Sequence, residues 1–238
     1  MHQQNENPGR TPVLQARELV LVEHSNFIPL AEVSRFEGPR HRESVLNGAR
    51  VVISEANREY DLLHDPLTGI PNNEQFNLAL QKQIDLADKG EGSHPVLLFM
   101  DLDNFKAAND IIGHEKVDKM LIEIATELLS TVKLREVNGE IAARKSGDEL
   151  LAMIIADEQG NDKRDINKTP EEIVDGFISR TEEAIANISA KFSAPFVGAS
   201  IGYAIHEPGE SLERLRTRAD LAMYEEKKRR HGDRASSR

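Results

Sequence analysis

Two carboxylates, Asp101 and Asp103, stand at the exit of a short unbroken apolar run, Val96-Leu97-Leu98-Phe99-Met100. Such a run reads as a strand buried on both faces. Side chains alternate along a strand, so the two acids share a face while Leu102 points the other way. Carboxylates leaving a buried strand repel one another and lose hydration, which a cation would offset. They could equally cap the helix that follows, as Asp often does. This stretch alone leaves cap and cation open.

A second pair of acids shifts the balance. Glu140 to Arg144 and Leu150 to Ile155 read as strands, joined by the tight turn Lys145-Ser146-Gly147-Asp148-Glu149. Glycine in such a turn permits backbone conformations and close ligand approach that a side chain would block. If this hairpin pairs beside the first strand, Asp148 and Asp101 converge. Oxygen donors from neighbouring strands, in a chain without cysteine, suit Mg²⁺ or Mn²⁺ rather than Zn²⁺. One or two such cations are the usual device for in-line phosphoryl or nucleotidyl transfer.

From roughly Asp65 to His231 the chain resembles the GGDEF-type diguanylate cyclases, in five blocks that keep the family's order. Asp65-Pro66-Leu67-Thr68-Gly69-Ile70-Pro71-Asn72 is similar to the DxLTGLxN entry, and Phe99 to His114 to the FxDxDxFKxxND-x-x-GH block. Ser146-Gly147-Asp148-Glu149-Leu150 stands at the signature loop, Ala199-Ser200-Ile201-Gly202 at the late SIG strand, and Ala219 to Tyr224 at the ADxALY helix. The resemblance implies that two copies of the chain, each holding one GTP, face each other and form cyclic di-GMP with release of pyrophosphate. It also implies the roles. Asp101 and the Leu102 carbonyl hold the metal with Asp148 and Glu149, and Asp148 accepts the proton of the 3′-hydroxyl. Lys106 meets charge developing on the phosphoryl oxygens. Asn109 and Asp118 read the guanine edge, His114 helps hold the nucleotide, and Ser146 and Gly147 lie where the backbone approaches the phosphates. Lys227, with Arg229 or Arg230, meets the triphosphate tail.

Several positions depart from the family's pattern. Ser146 replaces the first signature glycine, Leu150 its terminal aromatic, and Lys145 an aromatic that usually precedes the loop. Asn73 stands where an arginine would orient the signature acid, Val117 where a glycine precedes Asp118, and Arg230-His231-Gly232-Asp233 where Gly-Arg-Asn is usual. Val137 and Glu140 replace the ends of an Arg-x-x-Asp at which the cyclic product inhibits many relatives. Product inhibition at that place is therefore expected to be missing. No departure removes a metal ligand, so cyclase activity is the first expectation. The alternatives are a weak or inactive module that binds GTP or a signalling protein partner, and another nucleotidyl cyclase on the same metal site.

The elements that must position these residues follow in order. Residues 1–63 are expected to hold a disordered polar start, one or two short helices over 14–33, and a helical stalk through Val45, Ala49, Val52, Ala56 and Leu63 that could pair with a second copy. The domain proper is expected over 64–232, with a disordered tail at 233–238. Within it, helices are expected over 74–89, 104–112, 116–132, 170–190 and 211–228, and a last strand over 196–205. Around the first strand and the hairpin this gives a ferredoxin-like βαββαβ core, an α+β fold whose central antiparallel sheet is flanked by helices, drawn here on one sheet face. A hydrophobic content of 39% with 30% charged residues is that of a globular chain. No apolar run is long enough to cross a bilayer. The lack of cysteine excludes disulfides and thiolate metal sites and fits a reducing cytoplasm. A net charge of −11 argues against a nucleic-acid polymer as partner.

Overall fold

The structure, a computed structural model, describes residues 19–23, 26–29, 60–133, 139–156 and 168–236. It divides into two compact units, Met1–His64 and Asp65–Arg238. In the first unit the expected short helices are replaced by a two-stranded antiparallel ribbon, β1 (Leu19–Glu23) and β2 (Asn26–Pro29). Leu19-Val20-Leu21-Val22 is rich in β-branched and branched apolar residues, which favour extended backbone, and Pro29 closes the second strand where no further ladder bond is needed. Most of the expected stalk lies outside the described residues; residues 60–63 at its end are helical.

The second unit follows the order α1 (Asn73–Asp88), β3 (Pro95–Asp103), α2 (Phe105–Ile112), α3 (His114–Lys133), β4 (Ile141–Ser146), β5 (Glu149–Ile155), α4 (Pro170–Lys191), β6 (Gly198–Ile205), α5 (Leu212–Ser236). Four strands form one wholly antiparallel sheet in the order β4-β5-β3-β6. That order is the ferredoxin-like arrangement of a βαββαβ unit. Local chemistry sets the helix starts. Asn72 accepts from the Glu74 and Gln75 amides, and Thr169 and Glu172 form a reciprocal capping box before Pro170. Ser211 accepts from the Arg214 amide at the head of α5.

The helices cover both faces of the sheet, not one. Val96, Leu98, Met100 and Leu102 of β3 join a core with Met120, Leu121 and Ile124 of α3 and Phe177 and Ile185 of α4. Leu97 and Phe99 join a second core with Phe76 and Leu80 of α1 and Leu215, Ala219 and Met223 of α5. Period-two alternation thus sends even and odd positions of β3 into different cores. An unbroken apolar run is what a strand covered on both faces needs. Asp101 and Asp103 fall on the odd face, toward α1 and α5.

Gly202 sets how closely α5 can lie on β6. A Cβ at this position would collide with the Met223 backbone. No side chain larger than hydrogen permits that approach, which brings the second half of α5 over the end of β3.

Candidate active site

The strand β3 does not stop before its acids. It pairs through Asp101 with Glu149 of β5 and through Asp103 with Gly198 of β6. Asp101 is therefore carried on backbone paired on both sides and Asp103 on backbone paired to β6 alone, with Asp101 at 8% exposure and Asp103 at 1%. Neither caps the following helix. The cap position belongs to Asn104, in a left-handed conformation with φ 60°, and its side chain donates instead to the Phe196 carbonyl at 2.8 Å.

Buried carboxylates need partners, and each has found a different one. Lys227 of α5 donates from Nζ to Asp101 Oδ1 at 2.6 Å. Ser200 of β6 donates to Asp103 Oδ1 at 2.7 Å, while Asp103 Oδ2 has no hydrogen-bond partner among the described residues. Arg230 comes within 4.0 Å of that oxygen. Burial alone would lower the Lys227 pKa. The hydrogen bond and charge of Asp101, with the charges of Asp148 and Asp103, carry it above the ordinary lysine value.

The turn between β4 and β5 has two residues, Gly147 and Asp148. Gly147 has φ 52°, the sign that the first position of a primed two-residue hairpin turn requires. The Asp148 carbonyl accepts from the Leu102 amide at 3.2 Å, which fixes the turn beside β3. Burial pushes the Asp148 carboxyl above its ordinary value, the Asp101 and Glu149 charges add to the rise, and Lys227 opposes it. For Glu149, burial acts upward but is outweighed. Hydrogen bonds from Ser146 at 2.7 Å and Lys145 at 3.0 Å hold its carboxyl below the ordinary glutamate value.

Sequence reasoning passed over Arg144. Its guanidinium donates to both oxygens of Asp65, at 3.0 and 3.2 Å, and to the Gly147 carbonyl at 2.8 and 3.0 Å. Asp65 also accepts from the Thr68 amide and hydroxyl. One arginine therefore ties the Asp65–Asn72 block to the turn that carries Asp148. Asn73, where an orienting arginine is expected, instead accepts from Arg216 at 3.0 Å, and Arg216 lies over the Phe99 ring. The cation that contacts a signature acid is Lys145, 3.0 Å from Glu149.

The remaining candidates are carried by α2, α3 and α5. Lys106 is exposed on the first turn of α2, and His114 and Asp118 are exposed one turn apart on α3. Asn109 makes a long bond of 3.4 Å to the Phe105 carbonyl. Val117, at the family's glycine position, faces the core and leaves Asp118 outward. Arg229 and Arg230 both bind Glu226, and Arg230 also binds Glu182. Val137 lies outside the described residues; Glu140 accepts from the Ile155 amide at 2.7 Å. Among the described residues no three Asp, Glu or His side chains close into a metal cage. The fit to a divalent cation rests on chemistry: the donors are all oxygens, and the buried Asp101 has already drawn in an ammonium group. No described helix is long and apolar enough to cross a membrane.

The family model "Diguanylate cyclase, GGDEF domain" matches residues 62–233. A bifunctional diguanylate cyclase/cyclic di-GMP phosphodiesterase of Pseudomonas aeruginosa, MucR, is 35% identical over 74% of the chain and 24% of its own length. The diguanylate cyclase DgcN of Escherichia coli K12 is 33% identical over 71% of the chain and 38% of its own length. The chain thus spans less than two fifths of either relative. Among solved structures, a sensory box/GGDEF family protein of Caulobacter crescentus superposes with a TM-score of 0.55 at 29% identity, over 70% of this chain and 98% of that one. The coiled coil and GGDEF domain of DgcB from the same organism, solved with c-di-GMP, gives 0.63 at 23% identity, over 79% and 93%, a likeness of fold. With the sheet order, the acid pair and the signature hairpin all in register, the chain belongs to the GGDEF-domain diguanylate cyclase family.

Proposed function

We propose that the chain is a diguanylate cyclase that joins two GTP into cyclic di-GMP and pyrophosphate, each nucleotide held by one copy of a dimer. The observation that carries this reading is the end of β3. There a buried acid, Asp101, lies across the ladder from Glu149 and beside the Asp148 turn, with a lysine drawn onto it. The curated relatives DgcN and MucR support the substrate class.

Asp101, the Leu102 carbonyl, Asp148 and Glu149 would hold Mg²⁺ or Mn²⁺, which when bound neutralises charge on the triphosphate and the α-phosphoryl group. The chain's own groups do the rest. Asp148, on the turn beside the end of β3, accepts the proton of the 3′-hydroxyl as that oxygen bonds to the α-phosphorus of the facing GTP and pyrophosphate leaves. Lys227, released from Asp101, and Lys106 pair with phosphate oxygens. Asn109 and Asp118 face the guanine edge, where a carboxylate accepts from N1–H and the 2-amino group together, and His114 steadies the nucleotide.

The test is incubation with GTP and Mg²⁺ and identification of the product by mass, beside an Asp148→Ala control. Cyclic di-GMP from the wild type alone, rising more steeply than enzyme concentration on dilution, is the expected result. GTP binding without turnover, even at high protein concentration, would instead make the chain a nucleotide-binding module of signalling.

A further inference from the structure

Both carboxylate oxygens of Glu149 are already engaged by the hairpin that carries it. Ser146 Oγ donates to one at 2.7 Å and Lys145 Nζ to the other at 3.0 Å. These two donors are among the residues that depart from the family's pattern, standing where a glycine and an aromatic are usual. Lys145 is held from a second side, with Nζ 5.3 Å from the centroid of the Phe99 ring. A cation bound between Asp101 and Glu149 would bring two positive charges up to that ammonium, and like charges at such range repel.

Resting on the metal-dependent reading above, we propose that Lys145 and Ser146 are positioning residues forming an internal clamp on Glu149, which a divalent cation must displace to load the site. The clamp closes across a two-residue turn, so holding it costs little chain entropy. One donor is a hydroxyl at short distance and the other a charged ammonium, the stronger class of hydrogen bond to a carboxylate. Nothing further is needed to keep the acid turned toward its own strand until a cation competes for it. The clamp therefore sets the cation concentration at which the site fills, and the two departures tune metal demand rather than merely weakening the loop.

Titration of the whole chain with Mn²⁺ alone, following the paramagnetic resonance of the free ion, tests this without turnover. Removing the clamp with Ser146→Gly and Lys145→Met together should tighten Mn²⁺ binding by about tenfold, the size, with opposite sign, of the change when a contact that supports a metal ligand is lost. Ser146→Gly alone should give part of that gain, and Lys145→Arg should keep wild-type affinity. Unchanged or weaker binding in the double variant, while Asp101→Asn still weakens the wild type, would overturn the clamp and leave the metal site standing. Absence of any Asp101-dependent Mn²⁺ binding in all variants would overturn the clamp together with the reading on which it rests.

Discussion

Lys227 Nζ lies 2.6 Å from Asp101 Oδ1, so the last helix reaches across the sheet to neutralise the acid that ends its central strand. On the proposed reading, a bound metal would compete with this ammonium for the Asp101 carboxylate. Replacing Lys227 by Met should destabilise the metal-free protein by about 1–3 kcal/mol, the cost of leaving a buried carboxylate without its charged partner. Mn²⁺ should restore much of that loss, so the metal-induced rise in melting temperature should be larger for Lys227→Met than for wild type. Thermal unfolding in chelator and in Mn²⁺ measures both, and an equal rise in the two proteins would separate Lys227 from the cation site.

Arg144 and Asp65 make the other charged contact on which the site depends. Burial alone would raise the Asp65 carboxyl, but its bonds to Thr68 and Arg144 hold it below the ordinary aspartate value. A carboxyl lowered in the folded state contributes stability above its unfolded pKa, about 3.9, and loses it as pH falls through the folded value. The stability difference between wild type and Asp65→Asn should therefore be full near neutrality and shrink steadily below about pH 4. Urea unfolding across that range reads it. A difference that stays constant to low pH would show that the pair contributes no charge-dependent stability.

Gly202 should tolerate no side chain. Gly202→Ala would drive a methyl group into the Met223 backbone, and relief requires α5 to move off β6. A loss of about 1–3 kcal/mol is expected for such overpacking. Cyclase activity should fall more than stability does, because the same shift withdraws Lys227 from Asp101. Product assays at a temperature where the variant is fully folded distinguish the two effects.

Leu150 stands at the end of the signature with its side chain in the core between the sheet and helices α3 and α4. It lines a cavity of about 10 Å³ together with Met100, Ile124, Leu128, Thr181 and Ile185, a space no larger than one water. Leu150→Ala should cost about 2–5 kcal/mol, measured by denaturant unfolding. A cost below 1 kcal/mol, on the scale of an ordinary surface change, would mean that the site's floor can collapse around the missing atoms.

Much of this architecture was legible in the residues. The run 96–100 with its terminal acids and the Gly147 hairpin identified the central strands, because continuous apolar character and a glycine turn each have one good structural solution. Pro170 and Ser211 marked helix starts through capping chemistry that acts within four residues. Part of what escaped depended on contacts distant in sequence. Arg144 reads locally as the end of a strand, and its partner Asp65 lies 79 positions earlier. The ribbon at Leu19–Pro29 was hidden because two short strands leave too little alternation to outweigh a proline. In the sequence Lys145 and Ser146 show only what they remove from a family pattern; the folded hairpin shows what they hold. Covering helices on both faces followed from the same apolar run that located β3, but that consequence requires knowing which helices return to which side.

The central claim is that Asp101 and the acids of the Asp148 turn grip one divalent cation at the nucleotide phosphates. A crystal structure with Mn²⁺ and a non-hydrolysable GTP analogue, read through the anomalous signal of manganese, tests it most directly. The expected result is a manganese peak bonded to Asp101 and to Asp148 or Glu149, with Lys227 moved from Asp101 onto the triphosphate. A peak elsewhere, with the 2.6 Å contact of Lys227 and Asp101 intact beneath a bound nucleotide, would contradict it.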